Sequence, residues 1–212
     1  MEPTDLNREA WDEIHRRRAD AAAGQPGIPE GIRELLPEID GKHVLHLQCA
    51  TGEATAELVQ LGALVTAVDI STEALETARE RAPDVAYVHA DVHDLPLEVR
   101  RGRFDLVFTG GDVLAGLADL DAWTHGIAAA LKPGGTMLFY DSHPVTTCVD
   151  PLGHWREDYF DGRRRLGEAL QAVIDSGLRI ARLVEFQTLY DWVQRDRRVP
   201  WEFAILARKE EA

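Results

Sequence analysis

Residues His43–Ser71 read HVLHLQCATGEATAELVQLGALVTAVDIS. The short apolar run HVLHL predicts a strand, the following residues a tight turn, Glu53–Leu61 a helix and ALVTAVDI a second strand ending in an acid. This is the outline of a nucleotide site at the start of a βαβ unit. A dinucleotide turn carries several glycines so that the backbone can approach a pyrophosphate. Here Gln48, Cys49, Ala50, Thr51 and Gly52 supply one glycine, with Gln48 and Ala50 in the first two glycine-like positions. Pyrophosphate is disfavoured. A ligand without phosphates needs less bare backbone, and small residues suffice.

Two acids sharpen that reading. Asp69 closes the second strand about 20 residues after the turn, the spacing at which a carboxylate accepts hydrogen bonds from ribose hydroxyls. Asp91 follows a third strand in HADVHD, where it is placed to accept from an adenine amine while the Val92 N–H meets a ring nitrogen. Two acids beside a glycine-poor turn fit a phosphate-free adenosine. A cationic sulfonium on that nucleoside tolerates both acids, whereas a pyrophosphate does not.

Outward from this unit the chain keeps alternating. VAYVHA, FDLVFTG and TMLFYDS predict strands three to five; TEALETARERA, capped by Ser71 and closed by Pro83, and LADLDAWTHGIAAAL, ending at KPGG, predict helices. On the helix after the turn, Ala54, Leu58 and Leu61 share a side and Gly62 is the C-terminal stop. GLRIARLVEF and WEFAILAR predict two last strands, too close in sequence for a helical crossover and therefore antiparallel. Before the first strand, residues 5–18 predict a helix capped by Asp5, with Leu6, Trp11 and Ile14 on one face, and GIRELLPEID predicts a short helix. The expected fold is α/β: a Rossmann-like, seven-stranded, mostly parallel sheet with helices on both faces and an antiparallel last strand. Residues 1–212 form one domain, with a helical lid over 1–40 and substrate-side elements over 144–177 and 187–199.

With 212 residues, 45% apolar and 28% charged, the chain has the composition of a globular domain. Its net charge of −14 opposes binding to phosphate backbones, and the runs at Arg163–Arg165 and Arg195–Arg198 are expected to be solvated. Two cysteines far apart, no basic-then-apolar start and no long apolar run lead us to expect a soluble, cytoplasmic protein, neither membrane-bound nor nucleic-acid-bound, as a monomer or homodimer.

Further motifs carry a resemblance. VLHLQCATG, VTAVDIS, ADVHDLP, FDLVFTGG and LKPGGTMLFY resemble, in order, the motifs of the class I S-adenosylmethionine-dependent methyltransferases from about residue 40 onward. LHLQC, with DSHP after the fifth strand, is similar to a subset of small bacterial members, and NREAWDE resembles the helices that cover their cofactor. Three positions depart from the family: His46 replaces an acid, and Gln48 and Ala50 replace glycines. The resemblance implies S-adenosyl-L-methionine as cofactor, S-adenosyl-L-homocysteine as product, and O- or N-methylation of a small-molecule acceptor. Its implied cofactor residues are Trp11, Gln48, Cys49, Ala50, Thr51, Gly52, Asp69, Ile70, Asp91, Val92, Thr109 and Gly110. A non-catalytic binding module and, less well supported, a nicotinamide-dependent oxidoreductase are the alternatives.

His143, held extended by Pro144 at the mouth of the expected pocket, is the candidate general base. Asp112, His143, Trp155, Tyr159 and Tyr190 are the candidate substrate residues, with Phe160 and Trp192 as further aromatics of that side. No metal is expected: His89, Asp91 and His93 alternate along one strand face, but Asp91 has the better use at the adenine. Cys49 is expected to pack rather than react, and His46 to be a hydrogen-bonded structural histidine.

Overall fold

The computed structural model describes residues 8, 10–13, 27–150, 154–161, 165–190 and 195–211. Its seven-stranded sheet comprises β1 (His43–Leu47), β2 (Leu64–Asp69), β3 (Ala86–His89), β4 (Phe104–Gly110), β5 (Leu131–Ser142), β6 (Leu178–Phe186) and β7 (Glu202–Lys209). The order is β3-β2-β1-β4-β5-β7-β6. β7 pairs antiparallel with both β5 and β6, and the remaining pairs are parallel. The antiparallel strand is therefore internal, and β6 forms the edge. Strand order reverses between β1 and β4, and in such sheets ligands bind beyond the carboxyl ends at that reversal.

Alternation along the central strands builds two core layers. In β4, Leu106 and Phe108 face one layer and Val107 the other; in β5, Leu138 and Tyr140 oppose Met137 and Phe139. One layer stacks Trp123, Phe139 and Phe203 edge to face, with centroids 5.0 and 5.5 Å apart. The other joins Ile28, Ile32, Leu58 and Leu75 to the opposite face.

The helices follow their local signals, with informative exceptions. α1 (Glu30–Arg33) is a single turn where a longer helix was expected; Pro37 bars its continuation. α2 (Glu53–Gln60) buries Thr55 and Leu58, whereas Leu61 is 39% exposed, so the expected apolar side is shifted. Gly62 at φ 87° ends it as anticipated. In α3 (Thr72–Arg81) the Ser71 hydroxyl accepts from the Ala74 N–H, and in α4 (Leu120–Ala130) Asp119 accepts from Ala122. α5 (Leu166–Asp175) follows the irregular segment, with Glu168 accepting from the Arg165 N–H. β5 starts at Leu131, so KPGG belongs to a strand; its pairing with β4 shifts register between Phe104 and Leu106. The helix expected over 5–18 is described only at residues 8 and 10–13, which are helical; Asp5, Leu6 and Ile14 lie outside the described residues. Among the described residues no helix is long and apolar enough to cross a membrane.

Candidate active site

The turn after β1 curls through the left-handed region three times, at Gln48 (φ 54°), Ala50 (φ 48°) and Gly52 (φ 85°). Non-glycine residues adopt this conformation at a cost of about 1–2 kcal/mol each. The backbone has kept the shape of a glycine turn without two of its glycines. Gly52 has a second constraint, since a Cβ there would lie 2.8 Å from the Ala78 Cβ of α3.

Asp69 holds this shape. One oxygen accepts from the Ala50 N–H at 2.8 Å and the other from the Ser71 N–H at 2.9 Å. A carboxylate accepts about four hydrogen bonds, so these two set its orientation at the strand end. Across the reversal, the buried Thr109 hydroxyl donates to Gln48 Oε1 at 3.0 Å, tying the end of β4 to the turn. At the end of β3, Asp91 Oδ1 accepts from the His93 N–H at 2.9 Å and lies 2.6 Å from His93 Nδ1. His89 turns away to the Ile70 carbonyl, so the three alternating residues do not converge.

These strand ends open into a cleft. Of the expected cofactor residues, Trp11, Gln48, Ala50, Asp69, Ile70, Asp91, Val92 and Gly110 line it. Four others stand behind the wall. Cys49 is buried, and burial, with Asp69 nearby, pushes its thiol well up. Thr51 donates to Glu53 and its carbonyl accepts from Arg81. Gly52 packs on α3, and Thr109 acts through Gln48. The N-terminal segment crosses the cleft: Asp12 accepts from the Ser71 hydroxyl on one rim, and Trp11 packs on Gly116 of the 3-10 turn Leu114–Gly116 on the other. A Cβ at Gly116 would meet the indole at 3.0 Å.

The side beyond β4 and β5 is built differently. Asp141, 3% exposed, accepts from the N–H groups of Asp112, Val113, Leu114 and Ser142 at 2.6–3.1 Å. Burial pushes its carboxyl up to about 7 against those donors. Asp112 sits at φ 70° and accepts from the Ser142 hydroxyl. Tyr190 lies beside it: burial, then Asp112 and Glu202, push the phenol up to about 12. Tyr159 accepts from the Leu166 N–H at the start of α5, Trp155 is 61% exposed and bridges to Val149, and Phe160 stacks on Tyr159. Trp192 lies outside the described residues.

His143 is held by the loop it begins and by β6. Its Nδ1 accepts from the Val145 N–H at 3.1 Å, and Nε2 lies 3.1 Å from Glu185 Oε1. Both ring nitrogens are thus engaged. Burial lowers its pKa, opposed by Glu185. It orders the 3-10 turn Pro144–Thr147. His46 matches its structural reading: Nδ1 meets the Thr55 hydroxyl at 2.8 Å, and burial lowers its pKa to about 3. The basic runs are engaged as well, Arg165 with Glu168, Arg195 with Glu202, Arg198 with Asp196; Arg163 and Arg164 lie outside the described residues.

The profile of a methyltransferase-domain family matches residues 44–135. An uncharacterised methyltransferase of Synechocystis sp. is 38% identical over 111 residues, covering 52% of this chain and 51% of that protein. The crystal structure of an S-adenosylmethionine-dependent methyltransferase from Mesorhizobium loti superposes with a TM-score of 0.70 at 26% identity, covering 84% of this chain and 96% of the other. Residues 44–135 thus resemble a methyltransferase domain, and most of the chain shares the fold of an S-adenosylmethionine-dependent methyltransferase. A ubiquinone biosynthesis O-methyltransferase of Bordetella avium is 32% identical over 114 residues, covering 52% of this chain and 46% of the relative. The chain spans about half the length of these curated relatives. The cleft wall also includes His93, Gly111, Val113 and Leu117, which the motif reading left out of the cofactor set. The signal for His93 was its place two residues after Asp91; the 3-10 turn carried none, because its contact with Trp11 joins distant parts of the chain.

Proposed function

We propose that this chain transfers the methyl group of S-adenosyl-L-methionine to a small-molecule acceptor, at oxygen or nitrogen. One observation carries the reading: the left-handed turn Gln48–Gly52 is clamped by Asp69 through the Ala50 N–H. That clamp puts a carboxylate, rather than an open ring of N–H donors, at the strand end. It suits ribose hydroxyls and repels phosphates. Asp69 would hold the ribose, Asp91 and Val92 the adenine, Gln48 the methionine end, and Trp11 would cover the cleft.

When bound, the cofactor supplies a methyl group already activated on a sulfonium. The chain's part is alignment, desolvation and charge. Alignment of two reactants removes up to about 7–11 kcal/mol of barrier. The acceptor side would be formed by segments 144–177 and 187–199, with Asp112 and Tyr190 nearest the ends of β4 and β5. Because His143 has both ring nitrogens engaged, we assign it to ordering that loop, and the reaction suits an acceptor already nucleophilic at neutral pH. The same observation favours a second reading, a cofactor-binding module without chemistry.

Calorimetry with S-adenosyl-L-homocysteine and with NADH tests the site: micromolar binding of the first and none of the second is expected. The reverse preference would replace the proposal with the oxidoreductase. Methyl transfer to any member of a panel of phenols, hydroxy acids and amines excludes the non-catalytic module; tight binding with no transfer across the panel supports it.

A further inference from the structure

We propose that the Tyr140 hydroxyl receives the acceptor, and that the acceptor's nucleophile is a neutral amine nitrogen rather than an anionic oxygen; the inference rests on the cofactor reading above and narrows it. Around the ends of β4 and β5 several polar side chains are spent on holding loops. Asp141 takes four N–H groups, Glu202 takes Arg195 and the Leu189 N–H, and His143 is held by Val145 and Glu185. Tyr140 differs. It is 6% exposed, and its ring packs on Phe108 with centroids 5.7 Å apart. Its hydroxyl has no hydrogen-bond partner among the described residues, yet keeps an opening to solvent. A mostly buried hydroxyl of this kind is placed to meet a ligand rather than another part of the chain. Gly110 makes the position possible: a Cβ there would lie 2.5 Å from the tyrosine ring, which therefore crosses the end of β4 where a side chain would stand. The hydroxyl would lie 3.6 Å from a Cβ at Gly111, which forms part of the cleft wall.

The surroundings select the chemistry. Burial, then Tyr190, Asp141, Asp112 and Glu57, push the Tyr140 phenol up, so it stays protonated. Asp112 and Glu202 act in the same sense on Tyr190. Arg195, whose charge opposes them there, is held by Glu202 and stacks on Trp201 at 4.8 Å. The negative charge of this corner repels a phenolate or a carboxylate. A neutral amine is favoured instead. Its N–H donates to the Tyr140 oxygen, which leaves the nitrogen lone pair for the methyl group. That lone pair forms the N–C bond, the C–S bond breaks, and the bonding pair stays on sulfur as a neutral thioether. Positive charge thus passes from sulfur to nitrogen, where the same acids stabilise it as it develops. The N-methylammonium product leaves as such or sheds its proton to water.

The test is methyl transfer from isotopically labelled S-adenosyl-L-methionine by the wild-type chain, Tyr140→Phe and Asp112→Asn. The acceptors are benzylamine with benzyl alcohol, aniline with phenol and 4-hydroxybenzoate, and 4-aminophenol, which carries both nucleophiles. S-adenosyl-L-homocysteine affinity is measured alongside by calorimetry. The wild type should form N-methyl products in preference to O-methyl products by more than about tenfold. Tyr140→Phe keeps the ring and should lower kcat/KM for the amines about tenfold with cofactor-product affinity unchanged. Asp112→Asn should narrow the preference for nitrogen. Oxygen methylated as fast as nitrogen, or no transfer to any of the amines while S-adenosyl-L-homocysteine still binds, overturns the inference and leaves the cofactor reading intact. So does unchanged amine transfer in Tyr140→Phe, which would make the hydroxyl merely hydrated, or a loss of S-adenosyl-L-homocysteine affinity equal to the loss of transfer, which would give Tyr140 to the cofactor. An unaltered preference in Asp112→Asn overturns it as well, and with the wild-type products decides the matter even if Tyr140→Phe does not fold. A wild type that binds no S-adenosyl-L-homocysteine removes the cofactor reading and this inference together.

Discussion

The two halves of the strand-end surface spend their polar groups differently. Beyond β1, β2 and β3, Asp69, Asp91 and Gln48 are each braced by a neighbour and still line the cleft. Beyond β4 and β5, Asp141 is enclosed by four backbone N–H groups, and His143 is held at both ring nitrogens. On the proposed function, the first half is the receptor for the cofactor. The second uses its polar side chains to hold loops in place. Acceptor recognition would then come from what those loops present, which is where relatives of one fold diverge.

Four changes would break or sharpen that contrast. The largest effect belongs to Asp69→Ala, which removes the proposed ribose acceptor and orphans the Ala50 and Ser71 N–H groups. We expect a loss of about 100-fold or more in S-adenosyl-L-homocysteine affinity by calorimetry. Affinity within a few-fold of wild type would mean the clamp is purely structural.

Next is the pH response of His46, whose pKa is lowered from 6.5 to about 3 by burial. The unfolded chain binds this proton more readily than the native one between those values. Its contribution to stability is therefore complete above pH 6.5 and is lost as pH falls toward 3. Urea unfolding at pH 6.5 and at about pH 5 should differ by roughly 2 kcal/mol from this group, and His46→Asn should flatten the slope. An unaltered slope in the variant would show that His46 is not the group responsible.

His143→Ala sharpens the contrast from the other side. It should destabilise the chain by about 1 kcal/mol in urea, through loss of the Val145 cap and the Glu185 pair, with cofactor affinity unchanged. A fall in affinity as large as that of Asp69→Ala would merge the two halves into one site. The smallest effect is that of Ala50→Gly. Relief of the left-handed strain, offset by the greater freedom of glycine in the unfolded chain, should raise stability by at most about 1 kcal/mol in a thermal melt. A lowered melting temperature would show that Ala50 is not strained.

The same divide decides what the sequence revealed. The strand–turn–helix alternation announced the sheet, and Asp69 and Asp91 announced the cleft, because those signals are local: an acid at a strand end, a serine cap at Ser71, a glycine stop at Gly62. Residues that act through distant partners were not readable in this way. Glu185 reaches His143 from the far end of β6, and Gly116 meets Trp11 across the cleft. The left-handed conformations of Gln48 and Ala50 run against their own preference and are imposed by the Asp69 clamp and the packing of Gly52 on α3. KPGG reads as a turn because proline and glycine punctuate loops; β5 absorbs it through an irregular register.

A crystal structure of the chain grown with S-adenosyl-L-homocysteine tests the central claim most directly. The account predicts the ribose hydroxyls on the Asp69 carboxylate with the Ala50 N–H still bound to it, and the adenine edge against Asp91 and Val92. A nucleoside seated elsewhere, or a turn that abandons Asp69 to admit a phosphate, would contradict it.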